Sequence, residues 1–193
     1  IPQLVEDYII KDNPRPDLAL GTIGDGNVDG IPKLFELPML KPQVRIVLRN
    51  CGIIDPENIN HYITRDGYSG LVRTLGMTPE EVIEEVKKSG LRGRGGAGFP
   101  AGRKWSFLPK DRKKPVYLCV NADESEPGTF KDRELMEKEP HMVIEGTLIT
   151  AYAIKCKTAF IYIRGEFAYA ARQLKKAIDE ARQKGFIGNK ILG

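Results

Sequence analysis

The chain has 193 residues, 41% of them hydrophobic, with 30 Lys and Arg against 26 Asp and Glu and a formal charge of +4. That is enough apolar material for one domain, or for a domain with an extended arm, and the interleaved charges form no basic block suited to nucleic acid. No apolar run approaches the ~20 residues of a membrane span, the start Ile1-Pro2-Gln3 lacks a signal-peptide pattern, and Cys51, Cys119 and Cys156 are widely spaced as in a reducing compartment, so a soluble, cytoplasmic protein without direct membrane insertion is expected.

Residues 1 to about 45 carry Pro14, Pro16, Gly21, Gly24, Gly26, Gly30, Pro32, Pro38 and Pro42 with little sustained periodicity. Proline fixes φ and removes a donor, so this stretch is predicted to be an extended irregular arm ahead of a domain over 46–193. Val44 to Leu48 reads as a short strand, Asp55 opens a polar connection, and a short helix is expected near Tyr68 to Leu75. Thr78-Pro79-Glu80-Glu81 is a capping box with Pro at the first helical position, followed by Lys87-Lys88 and Gly90 at the far end, which predicts a helix over about 79–89. Beyond a Gly-rich loop, Val116 to Asn121 reads as a buried strand, Pro140 to Lys155 as a helix, Thr158 to Ile163 as a second strand, and Ala168 to Lys184 as a second strong helix. The last of these places Ala170, Ala171, Leu174, Ala177, Ile178 and Ala181 on one stripe. Strand, helix, strand, helix implies neighbouring parallel strands, and therefore an α/β fold of three layers with a mainly parallel sheet. The final stretch, Gly185 to Gly193, carries apolar residues without a stop signal, so a domain truncated at its C-terminal end is expected.

The cysteines make no C-x-x-C pair, and an iron–sulfur cluster needs about four thiolates, so each reads as a small buried hydrophobe rather than a ligand. His61 and His141 are isolated, and neither G-x-S-x-G nor H-E-x-x-H occurs. No catalytic acid, base or metal ligand is assigned. Redox chemistry carried by bound cofactors tolerates that absence, because it needs position and orientation more than a protein acid or base.

Three stretches carry the chemistry. In Gly90-Leu-Arg-Gly93-Arg94-Gly95-Gly96-Ala-Gly98-Phe99-Pro100, a G-x-G-x-x-G is present, but a capped helix rather than a strand precedes it and Pro100 follows, so a Rossmann fingerprint fails on context. The ending Gly102-Arg103-Lys104-Trp105 likewise breaks a P-loop. Closely spaced glycines still expose backbone N–H groups and let a flat or phosphorylated ligand approach the main chain. The second stretch, Asn121-Ala-Asp123-Glu124-Ser125-Glu126-Pro127-Gly128, sits at the carboxyl end of the first strand, and the third, Tyr162-Ile-Arg164-Gly165-Glu166, at the carboxyl end of its neighbour. Ligands of open parallel sheets bind at that end. Arginines and main-chain N–H groups suit the phosphates of a dinucleotide, and the carboxylates suit its ribose hydroxyls; otherwise the acids are solvated surface charge. Phe99 and Phe107 flank the glycine loop and either stack on a base or belong to the core.

Taken together, Gly90 to Pro100, Lys104-Trp-Ser-Phe107, Asn121 to Phe130 and Tyr162 to Glu166 resemble, in order and spacing, the flavoprotein subunit of respiratory complex I, over roughly residues 78 to 193. Arg45 to Gly52, Asp55-Pro-Glu-Asn58 and Asp66-Gly-Tyr68 look more like the homologous subunit of soluble, NAD-dependent, often electron-bifurcating iron hydrogenases. The resemblance implies an NADH dehydrogenase flavoprotein, an oxidoreductase subunit. FMN would lie across the glycine loop, with Gly93, Arg94, Gly95, Lys104, Asn121, Asp123, Gly165 and Glu166 among its contacts, and NADH would stack on it near Glu126, Phe99 and Phe107. Gly96, Glu124, Ser125 and Tyr162 complete the candidate cofactor-binding set. Electrons would leave through 4Fe-4S clusters held by a further C-terminal part of the subunit and by iron–sulfur electron-transfer partners in the same complex.

Overall fold

The structure is a computed structural model that describes residues 2–13, 15–24, 26–109 and 111–192; Pro14 of the predicted arm and Gly193 of the C-terminal stretch lie outside the described residues. The chain forms two compact units, residues 1–46 and 47–193. In the first, a short helix α1 (Pro2–Leu4) runs into a π-helical turn over Val5–Ile10, and 3-10 turns follow at Pro16–Leu18 and Leu34–Glu36. Isolated bridges pair Thr22 with Lys33 and Val28 with Ile31. Gly21 sits so close to Leu34 that a Cβ would lie 2.7 Å from its Cα, so a side chain is excluded there. The backbone of this unit is irregular but drawn into turns rather than extended throughout.

Val44 to Leu48 is not a strand; a turn closes there with Cys51 N–H donating to the Leu48 carbonyl at 3.1 Å. A strand needs a ladder partner for its N–H and C=O groups, and among the described residues this segment has none.

The second unit opens with α2 (Ile59–Thr64), which no local pattern announces, and α3 (Ser69–Leu75), which lies where the sequence predicts it. Asn58 caps α2 by accepting the Asn60 N–H at 3.0 Å. Helix α4 (Pro79–Lys88) starts on the expected capping box: Thr78 Oγ1 accepts the Glu81 N–H at 3.3 Å and Glu81 accepts the Thr78 N–H at 2.8 Å. A short helix, α5 (Ala101–Ser106), then begins directly after Pro100. Strand β1 (Tyr117–Ala122), helices α6 (Lys131–Lys138) and α7 (Pro140–Ala153), strand β2 (Thr158–Ile163) and helix α8 (Ala168–Gln183) complete the order. α5 and α6 are short and polar, which is why periodicity does not reveal them.

β1 and β2 pair in parallel, from Tyr117 with Thr158 to Ala122 with Ile163, so the fold is α/β with parallel strands as predicted. Leu118, Val120, Ala122, Ile161 and Ile163 turn inward, while Tyr117, Cys119, Phe160 and Tyr162 stand on the exposed face. Cys119 is therefore not the buried hydrophobe expected, and Cys51 and Cys156 are only half buried; none of the three is in a disulfide.

α7 lies at the centre, packed on α3, α4, α6, α8 and β2. Around it the core gathers Tyr62, Tyr68, Leu71, Met136, Ile144 and the α8 stripe of Ala170, Leu174, Ala177 and Ala181. Its inner face is also polar. The Glu145 carboxylate accepts from the Tyr62 hydroxyl at 2.6 Å and from the Tyr68 and Leu71 N–H groups at 2.9 and 3.1 Å. Glu139, fully buried, accepts the Asn50 N–H at 2.7 Å. His141, isolated in the sequence, is held in space between the Tyr68 hydroxyl and the Glu180 carboxylate, each 3.0 Å away. Burial holds its imidazole below the ordinary value, against the opposing pull of Glu180. These groups tie α3 and α8 to α7, since a buried carboxylate or imidazole left without partners would cost several kcal/mol.

Candidate functional site

The glycine loop is a closed hairpin. Arg92 and Pro100 form an isolated antiparallel bridge, with Gly93 N–H donating to the Phe99 carbonyl at 2.9 Å and Ala101 N–H to the Leu91 carbonyl at 2.8 Å. Gly96 and Gly98 lie at φ of +114° and +60°, a region side chains rarely adopt. A Cβ on Gly95, Gly96 or Gly98 would meet no atom within 4 Å, so the loop is not glycine-rich for internal packing. Gly102 is the contrary case: a Cβ there would stand 2.6 Å from Lys87 N, because α4 and α5 touch backbone to backbone.

At the carboxyl end of β1, Asn121 Oδ1 accepts the Asp123 N–H at 3.1 Å, and Ser125 donates its hydroxyl to Asp123 at 2.7 Å. Glu124 turns the other way. Its carboxylate, almost fully buried, accepts the Asp132 and Arg133 N–H groups at 2.9 and 3.0 Å at the start of α6. Burial pushes its carboxyl up, but the two N–H donors and Lys131 outweigh that and leave it below the ordinary carboxylate value.

Between these two stretches opens a cleft of about 740 Å3, lined by Arg94, Gly95, Gly96, Asn121 and the 123–126 acidic loop, together with Thr129, Lys131 and Asp132. That volume falls in the ~300–1,000 Å3 range of small-molecule sites. Among the described residues the N–H groups of 94–98 donate to no other main-chain group and Arg94 has no ion-pair partner. The glycine loop therefore offers open N–H donors and a cation, and the β1 end offers carboxylates and an amide. This donor set fits a phosphorylated, hydroxyl-rich ring compound such as a flavin mononucleotide. Lys131 is not singled out by the sequence motifs; a cation directly after Gly-Thr-Phe130 was the available signal.

The third stretch reaches the same end of the sheet without lining the cleft. Tyr162 lies opposite Asn121 in the β1–β2 register, and Arg164 bridges from β2 to the Glu124 carbonyl at 2.7 Å. Glu166 is paired to Arg164 through both oxygens at 3.2 Å, which holds its carboxyl below the ordinary value. Gly165 sits between them, and a Cβ on it would meet open space. Phe99 and Phe107 are also outside the lining. Their rings are 5.9 Å apart and exposed, with the Arg103 guanidinium about 6 Å from each centroid. They are not core residues. Lys104 is exposed on α5, three residues before Phe107. Among the described residues no cluster of His, Cys, Asp or Glu is arranged to hold a metal ion, and no helix is long and apolar enough to cross a membrane.

The family described as the Nuo51 FMN-binding domain matches residues 86–192. The chain is 54% identical over 149 residues to a subunit of an NADH-quinone oxidoreductase of Rhizobium meliloti, covering 77% of this chain and 35% of that protein. It is 50% identical over 153 residues to the HndC subunit of an NADP-reducing hydrogenase of Solidesulfovibrio fructosivorans, covering 79% of this chain and 31% of that protein. The chain thus spans about a third of the length of the curated relatives it matches. Among solved structures, it is similar to an NAD+-reducing NiFe-hydrogenase in the air-oxidized state, with a TM-score of 0.57 and 32% identity over 74% of this chain and 23% of that one.

Proposed function

The chain belongs to the Nuo51 FMN-binding domain family, and from that premise we propose that its cleft binds FMN and carries the NADH-oxidising or NAD+-reducing step of a soluble, cytoplasmic, multisubunit NAD-linked hydrogenase. The single observation that supports this most is the meeting of the glycine loop and the acidic loop on one cleft. FMN, when bound, would supply the chemistry that takes one hydride, two electrons with one proton, from a nicotinamide and releases the electrons singly. Arg94, Lys131 and the open N–H groups of 94–98 hold phosphate charge, and Gly95 and Gly96 leave the main chain bare for a flat ring. Asn121 and Asp123 accept from hydroxyl groups. Glu126 at the cleft wall, together with Phe99 and Phe107, receives the nicotinamide dinucleotide. Glu166, Gly165 and Tyr162 act from the neighbouring strand end. A carboxylate at a ribose disfavours a 2′-phosphate, which favours NADH over NADPH. 4Fe-4S clusters in a further part of the subunit and in iron–sulfur partner subunits would accept those electrons one at a time, with electron bifurcation as one form of that transfer.

A second reading, the flavoprotein subunit of a respiratory NADH:quinone oxidoreductase, is favoured by the 54% identity to the Rhizobium meliloti protein. Identification of the subunits that co-purify separates the two: hydrogenase subunits support the first and quinone-reductase subunits the second. The shared premise is tested by the visible spectrum of the native complex and by the flavin it releases on denaturation. Yellow protein with FMN and NADH-dependent ferricyanide reduction is expected; colourless protein with neither would leave an assembly module without a cofactor.

A further inference from the structure

The β1–β2 ladder ends at Ala122 opposite Ile163. Past that point the two loops that present Asp123, Ser125, Glu126 and Glu166 have no sheet hydrogen bonds to keep them in register. Arg164 is the first residue beyond the ladder on β2 and Glu124 lies just beyond it on β1. The Arg164 guanidinium donates through Nη1 to the Glu124 carbonyl at 2.7 Å, and through Nε and Nη2 to the two Glu166 oxygens at 3.2 Å each. Its carbon lies 5.2 Å from the centroid of the Phe167 ring, which fixes the plane of the fork. The Arg164 side chain is 28% exposed and Glu166 is 70% exposed, so the carboxylate remains open to a ligand while its orientation is set from behind. Glu124 is pinned a second time by its own carboxylate at the α6 start.

We infer that Arg164, braced by Glu166, is a positioning residue that locks the acidic loop to the Arg-Gly-Glu loop and so holds Asp123 and Glu126 in place on the wall of the cleft that binds flavin mononucleotide. This rests on the FMN reading of the cleft. Only an arginine can do it, because a lysine ammonium is a point charge that cannot span a carbonyl on one loop and a carboxylate edge on the other.

The test uses the native complex carrying Arg164→Ala, Arg164→Lys, Glu166→Gln, or Arg164→Ala with Glu166→Gln. It reads FMN affinity from flavin fluorescence, and kcat for ferricyanide reduction per bound flavin. Arg164→Ala and Arg164→Lys each weaken FMN binding by about tenfold or more, as expected for lost charge-assisted hydrogen bonds, while kcat per bound flavin stays within about twofold. Glu166→Gln then adds no further loss to Arg164→Ala, because the two act as one unit. FMN affinity within about twofold of the parent in both Arg164 variants, or full additivity with Glu166→Gln, overturns the inference. Where the alanine variant does not assemble, the lysine variant carries the same comparison. An unaltered complex that holds no FMN overturns the cofactor reading instead, a result seen before any substitution is made.

Discussion

The Glu124 carboxylate stands 2.9 Å from the Asp132 N–H and so begins the helix that follows its own strand. Among the described residues its neighbour Glu126 makes no such contact, and it lines the cleft. The two acids, alike in sequence, are therefore expected to fail differently. Glu124→Ala removes a buried cap and lowers stability by about 1–3 kcal/mol. Glu126→Gln leaves the unfolding midpoint unchanged and raises KM for NADH. Chemical denaturation and steady-state kinetics on both variants check the division.

Two glycines make a second pair. Gly102→Ala drives a methyl into Lys87 N, 2.6 Å away, and separates α5 from α4, at a cost of about 1–3 kcal/mol. Gly95→Ala meets no protein atom within 4 Å and leaves stability intact, but places a methyl where the ligand approaches. Thermal melts with and without added FMN distinguish them: the first variant melts early in both, and the second loses only the stabilisation by FMN.

Glu145→Ala is expected to be the most damaging single change in the core. It strands the Tyr62 hydroxyl and the Tyr68 and Leu71 N–H groups together, and about 3–5 kcal/mol is lost. Tyr62→Phe removes one of the three contacts and costs about 1–2 kcal/mol. Urea unfolding of the two variants gives the ordering directly.

Much of the scaffold is readable from local signals. The capping box at Thr78, the Gly and Lys signals at the end of α4, the β-former run of β2 and the apolar stripe of α8 each declare an element within a few residues. What the sequence does not declare is set by distant partners. His141 and Glu145 are buried because Tyr62 and Tyr68 arrive from more than 70 positions earlier in the chain. The different duties of Asp123, Glu124 and Glu126 depend on which of them meets the start of α6. The sequence puts the acidic and Arg-Gly-Glu stretches at neighbouring strand ends and names Arg164 in the latter, whereas the hydrogen bond from Arg164 to the Glu124 carbonyl is a tertiary contact that no pattern declares.

His141 makes stability depend on pH. Its folded pKa lies below the unfolded value of about 6.5, so its contribution is complete above that pH and is lost as the pH falls through the folded value. The groups facing it are Tyr62 and Tyr68 from α2 and the start of α3, and Glu180 from α8. His141→Gln, which keeps hydrogen-bonding capacity without titrating in this range, flattens the dependence of the melting temperature between about pH 7 and pH 5.

The bridge between Arg92 and Pro100 has an entropic consequence. Tethered at both ends, the glycine loop leaves only residues 94–98 to be ordered when a ligand arrives. Each residue immobilised costs roughly 1–2 kcal/mol of chain entropy. On the proposed reading, the fastened base limits that cost to the five residues 94–98, about 5–10 kcal/mol at most, where a loop unfastened from 91 to 101 would cost about twice as much.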